Sequence, residues 1–263
     1  MFLSLNDLER EATKPELMHS IHFSEKFQCV YLELPKCGCS SIKSLIQTYE
    51  HVEPDCDQLL EIPDVHNKRV NQYALPGYEH GGVAGLTGDQ LIRVLTDPSI
   101  SRFSVVRNPY ARLASAFKDK IFKNKVQKIQ VVDALFPSLK SLCKEEKLAV
   151  EVSFADFVEF VTSHQSHKKM NPHWRPQVSV LFYDYINYDF IGKLEDAERT
   201  WQQVYNKIYS SRMQFIPMGR RNSSGRREIA VNNIYTHYLA ERVYEFYKRD
   251  FEAFDYCKSS YMH

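Results

Sequence analysis

The sequence predicts an α/β fold with a mainly parallel sheet. Short apolar runs rich in β-branched and aromatic residues alternate with segments of helical period, and two of these runs pass through a short polar loop directly into a helix. No internal repeat or low-complexity linker divides the 263 residues, of which 43% are hydrophobic. In such folds anions bind at the carboxyl ends of strands, where helix N-termini present free N–H groups.

The first strand-to-helix junction lies near the N-terminus. Residues 27–34 predict a buried strand, and the helix that follows is capped by Ser40 or Ser41 and runs to about Glu50. Residues 51–85 contain several prolines and glycines and predict a long loop; loops of this length in a compact domain are usually functional or mobile.

The second junction follows a short helix from Thr87 to Leu95. Residues 102–106 predict a second buried strand, and Pro109 suits the first turn of a helix through about Lys123. The remaining predicted elements are a charged helical segment at 126–148, a helix capped by Ser153, strands at 179–184 and 188–193, a helix at 195–209, a basic loop at 218–228 and a final helix at about 228–254.

Charge and hydropathy exclude several classes of protein. A net charge of +1, from 34 basic and 33 acidic residues, argues against a nucleic-acid partner. No apolar run approaches the length of a membrane span, and the N-terminus has no signal-peptide pattern. We therefore expect a cytoplasmic protein without a membrane partner, in which the six cysteines are free thiols.

The segment "PKCGCSS" at 35–41 has the composition of an anion-binding turn. Gly38 permits a backbone turn that a side chain would obstruct, and the amides of 38–41 can form an anion nest to which Lys36 adds a charge. The Walker A pattern is absent, because the lysine precedes the glycine. A phosphate or sulfate site and a plain strand-to-helix turn both remain open at this point.

Cys37 and Cys39 in this segment suggest two further readings. A metal site would need two more ligands, and no Cys or His pair supplies them at typical spacing. A redox role would need a lowered thiol pKa, which a helix N-terminus can provide.

The second junction reads "RNPYARLAS". Arg107 stands at the end of a strand and Ser115 lies eight residues later, so a guanidinium and a hydroxyl can both donate to one phosphate. The alternative is that Arg107 pairs with a carboxylate and Ser115 is a small packing residue.

Together these segments resemble the sulfotransferases that use 3′-phosphoadenosine 5′-phosphosulfate (PAPS). Lys36–Ser41 resembles their 5′-phosphosulfate loop, and 107–115 resembles their 3′-phosphate motif. "NPHWRPQ" (171–177), "YDFIGKLED" (188–196) and "YKRDFEAFDY" (247–256) resemble the branch that includes Golgi carbohydrate sulfotransferases, here as a soluble member of bacterial type.

The resemblance implies a P-loop-like three-layer sandwich with helices on both faces of the sheet. One sulfotransferase domain would span 1–263, with 1–25 as an N-terminal extension and 51–100 and 124–178 as acceptor-site insertions. PAPS would be the co-substrate and adenosine 3′,5′-bisphosphate (PAP) the product, with no metal. The implied donor-binding residues are Lys36, Cys37, Gly38, Cys39, Ser40, Ser41, Arg107, Ser115, Arg220, Arg221 and Asn222.

The acceptor hydroxyl needs a base, and histidine is the usual one. The resemblance points loosely to His80 and also offers His173 of "HWRPQ", which could instead shape the acceptor pocket; Glu33 and Glu79 are lesser alternatives. The expected acceptor is a small polar molecule or a saccharide. N-sulfation, O-sulfation of a secondary metabolite and a non-catalytic nucleotide-binding protein are the alternatives, and the sequence does not indicate an oligomeric state.

Overall fold

The computed structural model describes residues 3–55, 58, 87–123, 126–163, 166–217 and 233–262. These residues belong to two compact units, which are described separately. The first unit is Met1–Val106 with Gln177–Gly225, and the second is Arg107–Pro176 with Arg226–His263. Predictions on His80, Glu79, Arg220, Arg221 and Asn222 lie outside the described residues. The single domain predicted for 1–263 and its subdivisions stay predictions.

The first unit contains a four-stranded sheet in the order β1-β2-β3-β4. Its strands are β1 (Ile21–Ser24), β2 (Cys29–Leu32), β3 (Ser101–Val106) and β4 (Phe190–Lys193). β1 is antiparallel to β2, whereas the other two pairs are parallel. Leu32 lies opposite Ser104, and Val106 lies opposite Lys193, so the three parallel strands end at one edge of the sheet.

Helices precede, connect and follow these strands. In chain order they are α1 (Leu5–Glu11), α2 (Lys14–Ser20), α3 (Cys39–His51), α4 (Gly88–Thr96), α5 (Pro109–Phe117), α6 (Gln127–Leu135), α7 (Lys144–Ala149), α8 (Phe154–Thr162), α9 (Gln177–Val180), α10 (Ala197–Val204) and α11 (His237–Ala253). None of the helices formed by described residues is long and apolar enough to cross a bilayer. The predicted α/β class, with a mainly parallel sheet flanked by helices, is confirmed.

The core of the first unit lies between one sheet face and helices α3 and α10. Tyr31 of β2 and Phe103 of β3 belong to the same buried cluster as Tyr49 of α3 and Trp201 of α10. Tyr49 stacks on Trp201 with ring centroids 5.9 Å apart. Trp201 Nε1 donates to the carbonyl of Ile216 at 2.8 Å, so the polar atom of this large buried side chain is satisfied.

The core of the second unit is formed by α5, α6, α8, α11 and the segment at 170–174. Its buried aromatic residues meet mainly edge to face, and Phe157 contacts Trp174 at 5.4 Å between ring centroids. Helix α8 begins at the predicted cap, because Ser153 Oγ accepts from the Asp156 N–H at 3.1 Å while the Asp156 carboxylate accepts from the Ser153 N–H at 2.9 Å.

Two predicted elements are wrong. Residues 179–184 do not form a strand: α9 ends at Val180, and a turn follows in which Phe182 has a φ of 49°. A short apolar run does not distinguish a strand from a buried helical turn, and here helix α9 begins at Gln177, directly after Pro176. The last helix begins at His237 rather than near 228, because the Thr236 hydroxyl accepts from the Leu239 N–H and caps it.

Candidate functional site

The loop between β2 and α3 contains two residues in the left-handed backbone region. Lys36 has a φ of 72° and Gly38 a φ of 77°. Gly38 is the N-cap of α3, and its carbonyl accepts from the N–H groups of Ser41 at 3.0 Å and Ile42 at 3.2 Å. A Cβ on Gly38 would lie 2.8 Å from Leu194 Cδ1, so the chain passes close to the end of β4.

Ser40 and Ser41 lie inside the first turn of α3 and do not cap it. The prediction of a serine cap is therefore wrong, because left-handed Gly38 starts the helix two residues earlier than expected. Both serines are buried, and Lys36 is half-buried.

The thiols of Cys37 and Cys39 are buried in this loop. Cys37 Sγ donates to Gln177 Oε1 at 3.7 Å, a contact that links the loop to the last residue of "NPHWRPQ". Burial raises the pKa of the Cys39 thiol, so the helix N-terminus does not activate it. In the described part of the chain, no three His, Cys, Asp or Glu side chains are grouped so that they could hold a metal ion.

A buried charged cluster joins the two ends of this loop. His22 Nε2 lies 2.8 Å and Lys43 Nζ 3.0 Å from the same oxygen, Oε2 of Glu33. Burial lowers the pKa of the His22 imidazole. Burial alone would raise the pKa of Glu33, but the hydrogen bonds and charges of His22 and Lys43 outweigh it and hold that pKa well below its usual range. Glu33 is enclosed and occupied by its partners, which argues against the alternative that it is the acceptor base.

Sequence reasoning missed His22 and Lys43 as members of this cluster. One signal was present: Glu33 interrupts an apolar strand, and a charge in such a place needs a buried partner. The partners themselves could not be identified, because they come from another strand and from the next helix.

At the second junction, Arg107 is the first residue after β3, and Asn108 caps α5. Asn108 Oδ1 accepts from the N–H groups of Tyr110 at 3.0 Å and Ala111 at 3.4 Å, while its Nδ2 donates to Ser260 Oγ at 2.6 Å. The predicted helix at Pro109 is present as α5, and Ser115 lies on it, half-buried.

His173 lies in the segment that follows Asn171. Asn171 Oδ1 accepts from the backbone N–H of His173 at 3.0 Å and lies 2.6 Å from the ring Nδ1. Asn171 Oδ1 is an amide oxygen, which has no hydrogen and can only accept. Nδ1 of His173 is therefore the donor in this contact and carries a hydrogen. In the neutral ring Nε2 is then the proton-accepting nitrogen, which is the tautomer that a general base requires.

The comparisons with known proteins agree with these segments. The profile described as the Sulfotransferase family matches residues 19–257. Carbohydrate sulfotransferase 11 of Rattus norvegicus is 24% identical over 96% of this chain and 71% of its own length. Carbohydrate sulfotransferase 8 of Homo sapiens is 24% identical over 95% of this chain and 58% of its own length. Carbohydrate sulfotransferase 12 of Mus musculus is 26% identical over 92% of this chain and 61% of its own length. No solved structure matches the chain. Since the matched profile covers most of the sequence, this protein belongs to the Sulfotransferase family.

Proposed function

We propose that this sulfotransferase moves the sulfuryl group of PAPS to a hydroxyl group of a carbohydrate and releases PAP. The observation that carries the proposal is left-handed Gly38 at the N-cap of α3, a helix of 13 residues. A turn of this kind exposes the first amides of a long helix for an anion. The family membership and the carbohydrate sulfotransferases among the relatives support the same chemistry.

In the proposed reaction, the bond between the sulfur and the bridging oxygen of the phosphosulfate breaks as the acceptor oxygen bonds to sulfur. The electron pair of the broken bond stays on the phosphate, which gains negative charge, and the acceptor proton goes to a base. Lys36 and the amides of residues 38–40 would stabilise the charge that develops on the phosphate. The N–H groups of Cys37 and Ser41 donate within the loop, to the carbonyls of Leu34 and Gly38. The thiols of Cys37 and Cys39 are buried, so neither side chain would contact the donor molecule.

The residues of the second junction are assigned to the 3′-phosphate. The guanidinium of Arg107 and the hydroxyl of Ser115 would donate hydrogen bonds to this phosphate. These hydrogen bonds would orient PAPS. Arg220, Arg221 and Asn222, outside the described residues, keep the same assignment on the resemblance alone. In the proposed reaction the cationic side chains Lys36 and Arg107, and not a metal ion, would balance the charge of the donor molecule.

Two histidines are candidates for the base. His173 has the tautomer that accepts a proton at Nε2, and His80 rests on the resemblance. The variants His173→Ala and His80→Ala separate them, because loss of the base lowers kcat by about 100-fold or more, whereas loss of an acceptor contact acts mainly on KM. We expect the acceptor to be a carbohydrate and the reaction to take place in the cytoplasm.

Transfer of labelled sulfate from PAPS to a panel of saccharides tests the proposed function. We expect PAP to bind without magnesium and Lys36→Ala to weaken its binding by about tenfold or more. The matched control is Lys26→Ala, because Lys26 Nζ donates to the Tyr49 carbonyl at 2.8 Å, at the opposite end of α3. Equal, weak PAP binding by wild type and Lys36→Ala would contradict the proposal. Tight binding without transfer to any acceptor would favour a non-catalytic protein, and transfer to amines alone would favour N-sulfation.

A further inference from the structure

Three ionisable side chains form a cluster inside the first unit, enclosed from solvent. His22 is 2% exposed, Glu33 3% and Lys43 0%. The two nitrogens, His22 Nε2 and Lys43 Nζ, contact one carboxylate oxygen, Oε2 of Glu33. With a neutral imidazole the cluster has no net charge.

The cluster connects the two flanks of the loop at 34–38. Glu33 is the last residue before the loop, and its N–H donates to the Ser20 carbonyl at 2.7 Å, which continues the pairing of β2 beyond Leu32. Lys43 lies on α3, one turn after the helix begins at Cys39. A single carboxylate therefore connects the strand before the loop with the helix after it, while His22 attaches that carboxylate to β1.

Stability alone does not explain this cluster. Removing two charges from water costs about as much free energy as their mutual attraction returns, and well-packed apolar side chains in their place are often as stable. What ion pairs and hydrogen bonds add is direction, because they fix where the participating atoms lie.

The loop itself needs such fixation. Lys36 and Gly38 both have left-handed backbone conformations, and for a non-glycine residue this conformation is sterically unfavourable. A strained residue keeps such a conformation only where the surrounding structure determines it. The Glu33 cluster supplies a buried anchor on each side of this strained segment.

We propose that Glu33 is a positioning residue, which with His22 and Lys43 holds the loop in the shape that binds the 5′-phosphosulfate end of the donor. This inference rests on the proposed function. It adds a specific claim: the cluster sets the affinity for the 5′ end of the donor and not for the 3′ end.

The test compares two ligands that differ only in the 5′-phosphate, PAP and adenosine 3′-monophosphate. Glu33→Gln alone would leave the Lys43 charge buried without its carboxylate, so the double variant Glu33→Gln/Lys43→Met removes both charges together. By calorimetry we expect the double variant to bind PAP about tenfold more weakly, while its affinity for adenosine 3′-monophosphate stays within about twofold.

The matched control is Asp189→Asn in the same unit. Asp189 Oδ2 accepts from Arg102 N at 2.9 Å and from Arg102 Nη2 at 3.3 Å, at the amino-terminal ends of β3 and β4 and therefore away from the loop. This variant also breaks a charged contact, and we expect the ratio of its two affinities to equal that of wild type.

Each outcome decides the question. Equal weakening of both ligands would show a purely structural cluster, and unchanged PAP binding would show that the cluster does not shape the loop; either result overturns the inference while the proposed function stands. Failure of wild type to bind PAP would overturn the proposed function and the inference with it. If the double variant does not fold, His22→Ala keeps the Glu33–Lys43 pair, and we expect it to change the same ratio in the same direction by about threefold.

Discussion

Arg112 Nη1 donates to the carbonyl oxygen of Arg175 at 2.7 Å. Its Nη2 makes a second 2.7 Å hydrogen bond, to the carbonyl of Pro172. Arg175 is itself buried and donates to the carbonyls of Lys168 and Met170. Two segments on which the resemblance rests, 107–115 and 171–177, are thus joined by hydrogen bonds inside the second unit, and Arg112 supports the backbone of the latter.

We expect Arg112→Lys to destabilise the second unit by about 2–4 kcal/mol, because a point-like ammonium cannot replace the two separated donors and leaves a buried carbonyl unpaired. Urea unfolding followed by Trp174 fluorescence, in a Trp201→Phe background, measures the loss in this chain with two tryptophans. Arg249→Lys, at an exposed position of α11, is the control. A fully stable Arg112→Lys protein would show that the two carbonyls find other donors.

Lys36, which we propose as a ligand of the phosphosulfate, has an unfavourable backbone conformation with a φ of 72°. We therefore expect Lys36→Gly to be more stable than Lys36→Ala by about 1 kcal/mol, because glycine adopts this conformation without steric cost. Both variants should lose sulfate transfer alike, since both lack the ammonium. Thermal unfolding and a PAPS transfer assay separate the two properties. Equal stabilities would indicate that the loop relaxes once the lysine is absent.

Gly38→Ala tests the turn at the start of α3. We expect a loss of about 1–2 kcal/mol from the left-handed φ, together with a contact of the new Cβ with Leu194 Cδ1, now 2.8 Å from its position. The end of a leucine side chain can move, so Gly38→Ala/Leu194→Ala should not recover the stability lost through the backbone. Urea midpoints give the effect of Gly38→Ala in the wild type and in the Leu194→Ala background, and the two effects are compared. Full recovery in the double variant would show that the clash, and not φ, excludes a side chain.

The free energy of unfolding of the first unit should decrease as the pH decreases, because of His22. Its pKa in the folded chain lies below the usual 6.5, chiefly through burial and in spite of Glu33. Below about pH 6.5 the unfolded chain therefore binds a proton at His22 that the folded chain excludes, and the free energy of unfolding decreases by at most about 1.4 kcal/mol per pH unit. The groups that face His22 are Glu33, Lys43 and His19.

His22→Gln keeps an N–H donor toward Glu33 but does not titrate, so its unfolding free energy should decline less between about pH 7 and 5. The lowered pKa of Glu33 acts in a different window, because stability from that carboxylate is lost only below its unfolded pKa of 4.5. Fluorescence of Trp201 in a Trp174→Phe background reports this unit. Parallel pH profiles of the two proteins would show that folding does not shift the pKa of His22.

Alkylation should distinguish the loop thiols from the exposed ones. Cys257 is exposed, and the Ser259 hydroxyl 3.0 Å away lowers the pKa of its thiol. We expect iodoacetamide to modify Cys257 and exposed Cys143 in the folded protein before Cys37 or Cys39, as peptide mass spectrometry would show. PAP binding should survive this labelling and also the replacement Cys37→Ala/Cys39→Thr. Early labelling of Cys39 would reopen a redox role for the loop.

Much of the fold followed from local patterns. The strand at 102–106, the cap at Ser153 and the helix at Pro109 depend on residues within one or two turns of each other, and the structure has them within a residue of their predicted positions. The predicted strand at 179–184 is wrong for the same reason, since a short apolar run has no local feature that separates a buried turn from a strand. The family was confirmed by the profile that matches residues 19–257.

The sequence by itself determined the chemical groups of the candidate site and their order along the chain: the Lys36–Ser41 loop, the Arg107–Ser115 segment and His173. Only the tertiary structure decided which charged groups serve the fold. Glu33 was an alternative for the base, yet His22 and Lys43 enclose it. Arg112 lies in the segment that resembles the 3′-phosphate motif, and its guanidinium donates to the carbonyls of Pro172 and Arg175. The physical reason is that a buried charge must find its partners in space, and those partners can lie anywhere along the sequence.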